Sequence, residues 1–128
     1  MRKLLLQVII GTLVAVLVLL HVASFLCTGI PMGDVKLRYK GIEAALTEED
    51  ASTLRELFRF KLYDRGIGGC PFQKDTSISF GNTVFAIALD DCYSAKNMNN
   101  GACVVFTSEE FQKIIEIYET YFGDTEID

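Results

Sequence analysis

The sequence predicts an α+β fold: an antiparallel sheet of four to five strands, covered on one face by two amphipathic helices and preceded by one N-terminal transmembrane helix. Three observations carry this expectation. An almost uncharged aliphatic run from Leu4 to Leu26 stands directly behind Met1, Arg2 and Lys3. Apolar residues alternate with period two on both sides of Gly81-Asn82, and two stripes of helical period each open behind a threonine with an acid three residues on. The chain divides accordingly into a transmembrane anchor or signal segment at 1–27, a linker at 28–34, an extracytoplasmic domain at 35–123 and an acidic tail at 124–128.

As a helix rising about 1.5 Å per residue, Leu4–Leu26 reaches roughly 35 Å, enough to cross a hydrocarbon core of about 30 Å with some tilt. Cations ahead of it and Asp34 behind it favour a cytoplasmic amino end, with everything after the helix outside. Its unbroken length exceeds the apolar centre of an ordinary signal peptide, which favours a retained, single-pass anchor. Val22-Ala23-Ser24 nevertheless offers small residues for a cut after Ser24 that would release a secreted domain. Lipidation at Cys27 is disfavoured by the bulky Phe25 and Leu26 before it.

Residues 28–128 carry 10 Lys/Arg against 17 Asp/Glu, a net charge of −7. That acidity argues against nucleic acid as a partner, since a phosphate backbone rewards clustered cations. Trp is absent, so nine Phe and five Tyr supply the large surfaces for burial. About 100 residues suit one small domain with one core.

Two Gly and a Pro in Thr28–Asp34 read as a short connector that keeps the domain close to the bilayer. Val35-Lys36-Leu37-Arg38-Tyr39 alternates as a strand with one buried face, Gly41 turns the chain, and Ile42–Leu46 pairs back. Thr47 then caps a helix, with Asp50 completing a shortened capping box, and Ala51, Leu54, Leu57, Phe58 and Leu62 form its core stripe. Gly66, Gly68 and Gly69 end that helix and open a loop through Cys70, Pro71 and Phe72.

Ser77–Phe80, Gly81-Asn82 and Thr83–Leu89 form a hairpin with the two-residue loop of a II′-type turn. Counting outward pairs Phe80 with Thr83 and Ile78 with Phe85, which sets Ile78, Phe80, Phe85, Ile87 and Leu89 on one face. The other face carries Ser77, Ser79, Val84, Ala86 and Ala88, small enough to meet water or to admit another surface closely. A further strand, Ala102–Phe106, follows the turn-rich 97–101 segment. Thr107-Ser108-Glu109-Glu110 is a full capping box whose helix aligns Phe111, Ile114, Ile115, Tyr118 and Phe122 before Gly123 stops it.

Among the external cysteines Cys70, Cys92 and Cys103, one intramolecular bridge is available. Cys70 with Cys92 would tether the Gly-rich loop to the end of a strand, closing roughly 20 residues for about 3 kcal/mol in the chain-entropy model. Cys92 with Cys103 is the rival, across a hairpin turning near Asn97-Met98. No C-x-x-C pair, external His or metal-ligand spacing is present, so no cofactor or metal is expected. Asp90-Asp91 ends a strand at the sheet edge, where paired acids serve hydrolases, but adjacent Asp residues there are ordinary turn formers as well.

Tyr39-Lys40-Gly41, the Thr47-capped acidic helix, Gly69-Cys70, Ile78-x-Phe80, Phe85-x-Ile87-Ala88-x-Asp90-x-Cys92 and Thr107-x-Glu109-Glu110 together resemble small uncharacterised secreted or membrane-anchored proteins of Gram-positive bacteria. The resemblance implies a paired Cys70 and Cys92 and an anchored external domain, with no activity to carry over. The expected function is a non-enzymatic module held at the membrane through Leu4–Leu26, meeting a protein or cell-envelope component through its sheet face or a loop bearing Asp90, Asp91, Tyr93, Asn97, Asn99 and Asn100. The alternatives are a small hydrolase using Asp90 and Asp91, and an inhibitor or immunity-type protein.

Overall fold

The computed structural model describes residues 1–64, 72, 75–89 and 92–123. Helix α1 covers Arg2–Leu26, with a mean hydropathy of 2.6 over its most apolar 18 residues and no buried residue. Seven antiparallel strands follow: β1 (Val35–Tyr39), β2 (Ile42–Ala45), β3 (Tyr63–Asp64), β4 (Ser77–Phe80), β5 (Thr83–Ile87), β6 (Ser94–Asn97) and β7 (Cys103–Val105). They form one sheet in the order β2-β1-β4-β5-β6-β7-β3. Helices α2 (Glu48–Phe58) and α3 (Ser108–Phe122) supply the other half of the core.

The strand count exceeds the expected four to five because of β3 and β6. β6 is Ser-Ala-Lys-Asn, with no β-branched or aromatic residue to mark it; its pairing with β5 and β7 supplies what its composition lacks. β3 is only two residues long and hangs on β7 through Tyr63↔Val104 and Asp64↔Cys103.

The β4–β5 hairpin has the expected register, Phe80↔Thr83 and Ile78↔Phe85. Gly81 adopts φ +58° and Asn82 stays at negative φ, as a II′ turn requires. Ile78, Phe80, Phe85 and Ile87 are buried, and Phe58 from α2 stacks on Phe80, Phe85 and Phe106 with centroid separations of 5.1, 4.8 and 5.0 Å. Phe58 is thus the aromatic hub joining α2 to the sheet.

Helix α2 is shorter than its apolar stripe suggests. Ala51, Leu54, Leu57 and Phe58 are buried, but the helix stops at Phe58 and Leu62 is 75% exposed. The chain turns because Arg59 takes an extended conformation and Phe60 the left-handed one, φ +50°. Helix α3 carries Phe111, Ile114, Ile115, Ile117 and Tyr118 into the core behind a complete capping box between Thr107 and Glu110. Burial alone raises the Tyr118 phenol far above its ordinary pKa, and the hydroxyl donates to the Ser77 carbonyl at 2.9 Å. The helix is thereby fastened to β4.

Ties at the foot of the domain make 28–34 more than a spacer. Cys27 forms a β-bridge with Leu62, the Thr28 N–H donates to the Lys61 carbonyl at 2.9 Å, and the Phe60 N–H donates to the Gly29 carbonyl at 2.7 Å. The Thr28 hydroxyl donates to the Phe58 carbonyl and accepts from the Lys61 N–H. Further along, Arg55 donates to the Gly33 carbonyl at 3.1 Å, and Gly33 packs directly on the backbone of Gly81. α1 therefore leads straight into a hydrogen-bonded foot.

Candidate interaction surface

With both amphipathic helices on one side, the other side of the sheet is the broad surface left to argue from. Strand register lines up Glu43, Arg38, Ser77, Ala86, Lys96, Cys103 and Asp64 in one row across it. Lys36 and Ser79 lie in the next row, and Lys36 is exposed. Three cations, Lys36, Arg38 and Lys96, share this face with Glu43 and Asp64, so its described strand residues sum to +1, against −7 for residues 28–128 as a whole. Arg38 reaches Glu43 at 3.5 Å, both side chains being well exposed, so the pair adds little stability.

The small residues on this face are not solvated. Ala86 and Ala88 are buried, and Ser94 is wholly so, its hydroxyl finding no partner among the described residues. Of the two outcomes that small side chains permit, close coverage is the one observed at the β5–β6 centre. Cys103 lies in this covered strip. Burial pushes its thiol up, the Lys96 charge pulls down, and the Asp64 charge pushes up again, leaving a raised pKa. A thiol so held stays protonated and is a poor nucleophile.

The 90–101 segment is not one loop. Strand β6 occupies Ser94–Asn97 and separates Tyr93 from the asparagines. Tyr93 takes φ +48° and rests its ring on Phe111, centroids 5.7 Å apart. Asn97 is buried; its amide donates to the Tyr63 hydroxyl at 2.9 Å and its carbonyl oxygen accepts from the Asn99 N–H at 2.8 Å. Asn100 accepts from the Ala102 N–H, and the Asn99 amide donates to the Asn82 carbonyl. These side chains build the β6–β7 turn and tie it to the β4–β5 turn, a role that Asn fills through local backbone bonding. Asp90, Asp91 and Cys70 lie outside the described residues.

The β6–β7 hairpin sets Lys96 opposite Cys103 and Ser94 opposite Val105. Cys27 and Cys103 stand outside any disulfide, which removes the Cys92–Cys103 pairing. A turn centred near Asn97-Met98 would set the two opposite each other, but Cys92 precedes the strand by two residues and Cys103 faces Lys96 instead.

Sequence reasoning missed Lys96 and Asp64, because a cross-sheet row needs the register of strands it did not foresee. A solvent-open groove of about 300 Å³ between α2 and α3 is lined by Ser52, Thr53, Glu56, Leu57 and Lys113. It brings no histidine or cysteine to the hydroxyls of Ser52 and Thr53, and Glu56 is its one carboxylate. Among the described residues, no cluster of His, Cys, Asp and Glu is arranged to hold a metal ion.

Fold and surface together define a sheet-and-helix α+β domain joined without a gap to one apolar helix. Comparison with protein-family models, curated proteins and solved structures finds no match to this chain.

Proposed function

We propose that this protein is a membrane-tethered extracytoplasmic binding module, non-enzymatic, which meets a protein or cell-envelope partner through the uncovered part of its outer sheet face around Lys36 and Arg38. The observation that carries the reading is α1: a helix of 25 residues, with a mean hydropathy of 2.6 over its most apolar 18 and none of its residues buried. Exposed side chains of that kind are stable only when lipid solvates them. The outer face supports the binding half, because the exposed Lys36, set between Ala45 and Ser79 in its row, suits an anionic group. Asn97 is buried in the fold, while Asn99 and Asn100 remain exposed beside it in the 97–101 turn.

The proposal includes a Cys70–Cys92 disulfide, which an oxidising exterior would preserve. The place of Cys27 and Cys103 outside any disulfide and the disulfide-bonded state of Cys92 support it.

Site-specific photocrosslinking in intact membranes tests the reading. A crosslinker replacing Lys36 should give a discrete adduct, and one replacing the exposed Glu116 on α3 should not. The adduct should vanish when Arg38 and Lys96 are both changed to Glu. Equal labelling from both positions, or none from Lys36, would remove the outer face as the binding surface.

A further inference from the structure

Between Phe58 and Tyr63 the usual arrangement of polar and apolar side chains is reversed. Phe60 and Leu62 are 55% and 75% exposed, whereas Lys61 between them turns inward to pair with Glu110. Phe60 projects from a left-handed backbone position that a bulky residue rarely adopts. In water this order costs burial that a simple exchange of side chains would recover. Its location supplies the reason.

Leu62 bridges Cys27, the residue that ends α1, and the Phe60 N–H is bonded to Gly29. Ile30 and Met32, 59% and 76% exposed, follow on the same short stretch. Phe60 and Leu62 are therefore tied to the segment where the apolar helix leaves off, next to its own exposed Phe25 and Leu26, and Ile30 and Met32 extend the exposed apolar run along the foot toward Gly81. Arg59, 3.8 Å from Glu56, also lies over the Phe60 ring at 5.4 Å, with its charged head able to reach the headgroup level.

We propose that Ile30, Met32, Phe60 and Leu62 form a second membrane contact, inserted at the headgroup–acyl boundary of the leaflet from which α1 emerges. This rests on the reading of α1 as a spanning helix. Lipid is the occupant because the cluster is continuous with a lipid-solvated surface and is held there by backbone hydrogen bonds, so it cannot swing clear of the bilayer. Apolar insertion rather than charge attraction holds it, since residues 28–128, at net charge −7, gain nothing from anionic headgroups. The domain then sits on the membrane with its β3 edge down and its β2 edge raised.

The absence of Trp makes the test direct. Single variants Leu13→Trp, Phe60→Trp, Leu62→Trp and Ile42→Trp of the full chain are placed in phosphatidylcholine vesicles with and without brominated acyl chains. Ile42 is exposed on β2, at the opposite edge of the sheet from β3 and roughly 25–30 Å away at the usual strand spacing. The expected result is bromolipid quenching at positions 13, 60 and 62, blue-shifted emission at 60 and 62 relative to 42, and no quenching at 42.

Quenching at 13 with water-like, unquenched emission at both 60 and 62 would overturn the second contact and leave the anchor standing. An unquenched position 13 would overturn the anchor and this inference with it. Quenching at 42 as strong as at 62 would overturn the proposed orientation. Blue-shifted emission at 60 and 62 that appears only in native membranes, and ignores brominated lipid, would overturn lipid in favour of a protein occupant. All three external positions are exposed, so the substitutions leave the core residues untouched.

Discussion

Glu110 joins two functions in one carboxylate. It accepts from the Thr107 N–H to close the capping box of α3, and it pairs with Lys61 at the foot of the domain. Burial pushes its pKa up, but the Lys61 hydrogen bond, the Thr107 N–H, the Lys61 charge and the Thr107 hydroxyl together outweigh burial and bring it below the ordinary 4.5. A carboxyl lowered on folding stabilises the native state fully above its unfolded pKa. That contribution disappears as pH falls through the lower folded value. Glu110→Gln keeps an acceptor for the cap and removes the charge, so it should cost on the order of 1 kcal/mol at pH 7 and flatten the acid limb of stability. Thermal unfolding of the detergent-solubilised chain between pH 7 and 3 reads both effects; an unchanged acid limb would show that the Lys61 pair contributes nothing.

The two helices start alike and are finished differently. At α3 the Glu110 side chain reaches back to its own cap. At α2 the shorter Asp50 does not; instead the Tyr121 hydroxyl, from the far end of α3, accepts the Thr47 N–H at 2.9 Å and donates to Asp50 at 2.8 Å. The shortened box read in the sequence is thus closed by a third residue, and only the packing of α3 beside α2 brings it there. The crossing of the foot under the β4–β5 turn is equally dependent on tertiary contact. A Cβ on Gly33, at φ +94°, would stand 2.8 Å from the Gly81 Cα. Gly33→Ala should therefore destabilise the domain by about 1–3 kcal/mol, combining left-handed strain with a backbone clash that neither side can relieve by rotating a side chain. A melting temperature within a degree of the parent would contradict this contact.

For the molecule as a whole, the parts legible in the sequence were those with strong local chemistry. β1, the Gly81-Asn82 hairpin with its register, the Thr107 box and the apolar run behind Lys3 all announce themselves within a few residues. β6 and β3 do not, because Ser-Ala-Lys-Asn and Tyr-Asp become strands only when neighbours complete their ladders. Arg59–Asp64 does alternate charged and apolar side chains, a strand-like signal, but Phe58 and Leu62 fit a helical stripe equally well. The row of paired residues from Glu43 to Asp64 was invisible for the same reason as β6, since Lys96 and Asp64 join it only through long-range pairing. Alkaline carbonate washing checks the membrane assignment on which the larger picture depends: the full chain should stay in the pellet, and release into the supernatant would refute a spanning α1.

The bridge between Cys27 and Leu62 occupies one rim of the sheet with the very residue that leaves the apolar helix. Only β2, whose outer rim takes no backbone partner among the described residues, is left for joining another molecule strand to strand. Such joining can couple two copies rim to rim and then has nowhere to continue, so crowding these chains on a shared bilayer would yield pairs and no ribbons or fibrils.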